Sequence, residues 1–140
     1  MINELFNKKT YQEISSRQVK ELIEYLSKDT NQFSLTVKLK HIEFNPKLPS
    51  QIYDTMQDFT MFTLANFTLS SLKINKNTIE FETGFGASNF GSVCTMPFYS
   101  IFQVSLDQSI LFINPIATSD IKYDEIENQK QRSMNAFKMK

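Results

Sequence analysis

The hydrophobic pattern describes one amphipathic helix followed by a series of short strands. Ile14, Val19, Leu22, Ile23 and Leu26 recur at helical spacing and share one face. Thr10 followed by Glu13 has the form of a capping box, so a helix is predicted from Thr10 to about Ser27–Thr30. Residues 1–9 are polar and are predicted to be a frayed lead-in. From Phe33 the period changes to two. Phe33, Leu35, Val37 and Leu39 alternate with Ser34, Thr36 and Lys38, which predicts a half-buried strand. Pro46 and Pro49 mark 41–51 as a loop.

Phe59 to Leu64 mixes β-branched and aromatic residues and predicts a second strand. Leu69, Leu72 and Ile74 are assigned to the next strand, and Lys76-Asn77 to a tight turn. Ile79, Phe81 and Thr83 alternate with Glu80 and Glu82, giving a strand with one wet face. Val93 to Met96 is another strand. Pro97 followed by the apolar stretch Phe98–Val104 predicts a short helix with proline in its first turn. Ser109 to Asn114, with Ile110, Leu111, Phe112 and Ile113 in a row, is predicted as a last buried strand.

This order predicts a mainly β fold with α, in which an N-terminal helix packs on a small, strongly bent sheet or partly open barrel. Residues 10–116 form the predicted domain. Residues 117–140 turn polar and charged and are predicted to be a tail.

Charge and composition narrow the functional classes. Fifteen basic and fifteen acidic side chains cancel, so nonspecific nucleic-acid binding lacks its usual driving force. A hydrophobic fraction of 41% with thirteen Phe supplies apolar area for a core. The single cysteine, Cys94, excludes an internal disulfide and a cysteine-built metal site, and its apolar surroundings predict burial. Met1–Lys9 lacks the apolar core of a signal peptide, and no apolar run is long enough to span a bilayer. A cytoplasmic protein without a membrane partner is expected.

Chemistry-bearing constellations are sparse. His41 is the only histidine and sits at a strand end beside Lys40. Glu80 and Glu82 are accounted for by the wet face of their strand. Gly84-Phe85-Gly86-Ala87 lacks the Lys-Ser/Thr of a phosphate loop. No acid, base and nucleophile set is visible, so a non-enzymatic protein without cofactor or metal is expected. All three glycines, Gly84, Gly86 and Gly91, fall in one hairpin region, which marks unusual backbone geometry or a close approach of the kind an extended peptide makes. Phe59, Phe62, Phe67, Phe81, Phe85 and Phe90 leave an alternative open, an Sm-like or oligonucleotide-binding barrel that stacks single-stranded RNA.

The order of elements and the stretch 79–97 together resemble the SspB family of protease adaptors. An acidic-tinged strand runs into Phe85-Gly86-Ala87, where the family has an aromatic-Gly-Gly turn. The following strand ends Met96-Pro97, where the family has Val-Pro, and an apolar segment follows. Leu72–Asn77 and the final strand before Pro115 line up as well, so the likeness covers roughly 18–115. The loop Ser88–Ser92 runs about two residues longer than the family's.

The resemblance implies a non-catalytic adaptor with a small Sm-like barrel. It implies binding of ssrA-type degradation tags and delivery of tagged proteins to the ClpXP protease. The residues matching the family's tag-binding positions are Met61, Thr63 and Ala65 on one strand and Phe81, Thr83, Gly84, Phe85 and Gly86 on another. The family's helix commonly forms a homodimer interface, here Val19, Leu22, Ile23 and Leu26. The family's terminal ClpX-docking motif is matched by Ala136, Phe137, Lys138, Met139 and Lys140.

Overall fold

The computed structural model describes residues 1–119. A short helix α1 (Ile2–Phe6) leads into the long helix α2 (Lys9–Asp29). Strands β1 (Gln32–Lys38) and β2 (Glu43–Asn45) follow, then the single turn α3 (Ser50–Tyr53), β3 (Phe59–Ala65) and α4 (Asn66–Ser70). The chain closes with β4 (Lys73–Ile74), β5 (Thr78–Phe85), β6 (Phe90–Pro97), β7 (Ile101–Leu106) and β8 (Ser109–Ile113). The strands form two antiparallel four-stranded sheets, ordered β3-β1-β7-β8 and β2-β6-β5-β4. Among the described residues no ladder joins the two.

Two corners connect them instead. β1 turns through a 3-10 segment, Leu39–His41, and re-enters the other sheet as β2. β6 turns through Phe98–Ser100 and re-enters the first sheet as β7. β1 pairs with β7 and β2 with β6, so one long antiparallel ribbon bends twice at the same level. The two corners touch where the His41 and Tyr99 rings meet edge-on at 5.3 Å.

The alternation in β1 buries Phe33, Leu35 and Val37, and Leu39 continues that side at the corner. Ile79 and Phe81 from β5, Cys94 and Met96 from β6, and Ile101 and Val104 from β7 meet them. Val19, Ile23 and Leu26 of α2 close the core from one side. The polar tie of this region is Asn114, 1% exposed. Its Oδ1 accepts from Ser15 Oγ at 2.6 Å and from the Ile116 N–H at 3.2 Å, and its Nδ2 donates to the Ile101 carbonyl at 3.1 Å. Helix, corner and C-terminal turn are thereby held by one side chain.

Several sequence expectations change. Residues 2–6 are helical, and α2 starts at Lys9 with Lys8 as its cap. The Thr10–Glu13 box is not formed, because α1 sets the start. Gln12 Nε2 donates to the Phe6 carbonyl at 2.7 Å, the Phe6 and Tyr11 rings stack at 6.0 Å, and Glu13 turns to Lys9.

The inner stripe Val19, Ile23 and Leu26 is spent on the chain's own core at 0, 0 and 4% exposure, with Leu22 packed against it. The dimer contact expected on Val19, Ile23 and Leu26 is corrected, since these three have almost no surface left for a second subunit, while Leu22 is half-buried. The expected loop 41–51 contains β2 and the start of α3. Leu69 lies on α4 and only Lys73–Ile74 is strand.

Phe98–Val104 is not a helix. One 3-10 turn follows Pro97, and Ile101 onward is drawn into the ladder with β1. β8 is an edge strand rather than a buried one, with Ile110 and Ile113 about half exposed. Ile116 and Ala117 are fully buried, so the fold continues past Ile116. Among the described residues no helix is long and apolar enough to cross a membrane.

Replacing Asn114 by Ala strands the Ser15 hydroxyl, the Ile116 N–H and the Ile101 carbonyl together. Urea denaturation should show a loss of about 2–4 kcal/mol, against about 1 kcal/mol for Ser15→Ala. An Asn114→Ala protein within about 0.5 kcal/mol of the wild type would remove the tie from this account.

Candidate functional site

β3 pairs only with β1, so its other edge is open among the described residues. The Leu39 N–H donates to the Asp58 carbonyl at 2.8 Å, which fixes the phase of the ladder. Val37–Thr60, Leu35–Phe62 and Phe33–Leu64 are then the hydrogen-bonded pairs. The main-chain N–H and C=O of Met61 and Thr63 consequently point away from β1, into the open edge.

β5 presents a second such edge. β4 covers it only opposite Ile79 and Glu80. Further along, Ser71 Oγ accepts from the Glu82 N–H at 2.9 Å, so a side chain replaces a strand there. The same alternation turns the Gly84 N–H and C=O outward, past Ser71. α4 and Ser71 bridge from the end of β3 to this edge.

The floor of this mouth is aromatic. Phe62 of β3 meets Phe81 and Phe85 of β5 at ring-centroid distances of 5.4 and 6.3 Å. Phe85 also meets Phe44 of β2 at 5.7 Å, and Phe44 meets Tyr53 of α3 at 6.2 Å. All four contacts are edge-on, the arrangement that the ring quadrupoles favour. Phe44 also lines a cleft of about 790 Å³ between β2 and α3, with Ile42, Leu48 and Tyr53. Two large apolar side chains stand clear of the surface on β3 and α4, Met61 at 64% and Phe67 at 63% exposure.

The residues singled out in the sequence fall on different surfaces. Met61 and Thr63 lie on the outer face of the first sheet, where Thr63 Oγ1 is 3.0 Å from Ser34 Oγ. Ala65 is half-buried at the entry to α4. Phe81, at 1% exposure, is core, and the peptide contact expected of it is corrected because both sheets close over its ring. Thr83 and Phe85 are half-buried on the inner side of β5, and Gly84 is exposed. A Cβ on Gly84 would overlap the Asn89 amide oxygen, so this glycine makes room for a side chain from its own hairpin. Gly86 has φ +71°, and Asn89, with φ +53°, completes the turn.

Phe44, Tyr53, Ser71 and Asn89 belong to the site and were not singled out. Phe44 stood two residues before Pro46 in the segment read as a loop, and Ser71 acts through a contact that only the folded chain brings about. Ala136, Phe137, Lys138, Met139 and Lys140 lie outside the described residues.

Burial pushes the Cys94 thiol up to about 12, which keeps it protonated and unreactive at neutral pH. Among the described residues no group of three or more His, Cys, Asp or Glu is gathered for a metal. Neither a family model nor a curated protein matches the chain.

Gly86→Ala forces a Cβ into a left-handed conformation beside Ile52 and should cost about 1–2 kcal/mol in denaturant titration. Gly84→Ala meets only the movable end of Asn89, and its penalty should vanish in an Asn89→Ala background. A penalty that persists there would show that the strand itself, not Asn89, requires the glycine.

The raised Cys94 value has its own signature. The thiol contributes stability fully below the ordinary value near 9, and loses it as pH climbs toward about 12. A Cys94→Ala protein should lack that part of the alkaline decline. An identical decline in both proteins would rule out the thiol as its source.

Proposed function

We propose that this chain is a non-enzymatic, cytoplasmic adaptor of the SspB type. In this reading it binds ssrA-type degradation tags as extended peptides at the β3–β5 mouth and delivers the tagged proteins to ClpXP. The observation that carries the reading is the pair of open strand edges, at Met61–Thr63 and at Gly84, flanking the Phe62–Phe85 contact. An extended segment added to such an edge gains main-chain hydrogen bonds, each worth about 1 kcal/mol net. Its alternate side chains would meet Phe85 on the inner side and Met61 or Phe67 outside. At Gly84 the incoming backbone would meet the Asn89 side chain that lies over the glycine.

Two sheets joined by paired corners also suit the strongly bent, Sm-like barrel of that family. A homodimer through α2 would use the outward stripe of Ile14 and Tyr25, 37% and 57% exposed, because the inner stripe is committed to the core. Residues 120–140 would serve as the tether, with 136–140 docking on ClpX and raising the local concentration of substrate there.

Anisotropy of a labelled ssrA-tag peptide tests the site. Binding at micromolar protein or tighter is expected. Thr63→Pro, which removes an edge N–H, and Thr83→Gln, which fills the inner wall, should each weaken it roughly tenfold or more. Deleting 134–140 should leave peptide binding intact and abolish delivery to ClpX. No binding at hundreds of micromolar would dismiss the tag assignment, and binding indifferent to both substitutions would move the groove elsewhere.

A further inference from the structure

A concentration of positive charge lies between the first half of α2 and the β4–β5 turn. Arg17 and Lys20 stand one helical turn apart, and Lys76 faces them from the turn. Lys20 Nζ donates to the Lys76 carbonyl at 3.4 Å and stands 6.0 Å from the centroid of the Phe98 ring. These three cations line a cleft of about 480 Å³ that also carries Ser16, Asn77 and Tyr99. Its one carboxylate, Glu13, is engaged with Lys9 at 4.0 Å, the only ion pair among the described residues. Among the described residues, Arg17, Lys20 and Lys76 form no ion pair with a carboxylate.

The whole chain is neutral, so this charge is segregated rather than part of a general excess. Along the helix Glu21 and Glu24, four residues after Arg17 and Lys20, offset part of the repulsion between them, and the cleft is where the three cations converge. The far wall is held in place. The Asn77 carbonyl accepts from the Phe98 N–H at 3.2 Å, and the turn is closed by the Asn75 N–H on the Thr78 carbonyl at 2.8 Å. A guanidinium offers a two-pronged donor and the two ammonium groups offer point charges, a set that suits the several oxygens of a phosphate better than a single carboxylate. The volume falls in the range of small-ligand sites, and the Tyr99 ring adds an apolar wall.

We propose that this cleft binds a small phosphate-bearing molecule, up to the size of a mononucleotide, through Arg17, Lys20 and Lys76. The site is separate from the β3–β5 mouth and does not depend on the adaptor reading.

The test is a two-dimensional amide NMR titration of the full chain with pyrophosphate and with AMP, and with succinate as a carboxylate control, at about 50 mM salt. Saturating shifts confined to amides of 9–20, 75–78 and 98–99 are expected for the phosphates, and weaker ones for succinate. Arg17→Gln and Lys20→Gln should each weaken binding roughly tenfold, and Lys28→Gln, away from the cleft, should not. Thermal unfolding of each variant separates loss of the site from loss of the fold.

The chain's own acids Asp120, Asp124, Glu125 and Glu127 follow Ser119, whose Oγ donates to Asn7 Oδ1 at 3.3 Å. A full-length variant carrying Asn or Gln at those four positions is therefore titrated in parallel. Wild-type binding that these changes leave within about threefold supports the proposal. It is overturned by three results: no saturation by about 10 mM ligand, equal affinity in the Arg17 and Lys20 variants, or binding that appears only in the neutralised chain. The last would assign the cleft to the chain's own acidic segment.

Discussion

The fold depends on one constraint: two paired strands must change sheets together. A ladder partner cannot stay flat while its neighbour bends, because the hydrogen bonds between them would part. β1 and β6 therefore turn at the same level, through Leu39–His41 and Phe98–Ser100, and both resume pairing on the other side of the corner. The bend folds the two sheets over a shared interior, so Phe33 and Leu35 from one and Phe81 and Met96 from the other fill a single core. Asn114 reinforces that arrangement from below, since its amide ties the start of β7 to α2 at the point where the chain leaves the corner.

The same constraint explains the mouth. The ribbon ties the sheets together along β1–β2 and β6–β7, while β3 and β5 lie on the untied side and each keeps an edge free. Open edges invite pairing with other chains, and proteins blunt them where they have no use for them. Here the blunting is partial. Ser71 satisfies Glu82 and β4 covers Ile79 and Glu80, yet the covering stops short of Gly84. Among the described residues no strand covers β3 along Met61 and Thr63. Phe62 packs on Phe85 between these edges, so that in the proposed reading an incoming segment would find a formed seat rather than one it must organise.

What the sequence made legible was what depends on local period. The alternation of β1 and of β5 appears as read, and the α2 stripe does so from Val19 onward while Ile14 turns outward, because one buried face imposes its period on the residues that supply it. The failures lie where topology decides. Pro97 with an apolar run reads equally as a helix start or as a corner, and only the partner strand settles it. Ile110 to Ile113 read as buried because a four-residue apolar run does not say whether a neighbour covers it. The α2 stripe was legible as a face, but what the face meets was not, and the chain's own sheets proved to be its partner.

The candidate site shows the same division at finer grain. Alternation correctly put Phe81 and Phe85 on one side of β5, and only depth along the strand separates a sealed ring from one at the rim. Glycine clustering marked a hairpin of unusual backbone geometry for a reason that was only half visible. Gly86 answers to its own backbone, whereas Gly84 answers to Asn89, a side chain five residues away that folds back over the strand. That contact places a polar amide at the outer rim of β5, beside the stretch of β5 that no described strand covers. A segment docking along Gly84 must therefore either hydrogen-bond the Asn89 side chain or displace it. In the proposed reading, the longer hairpin loop would therefore be part of the surface that a docking segment meets.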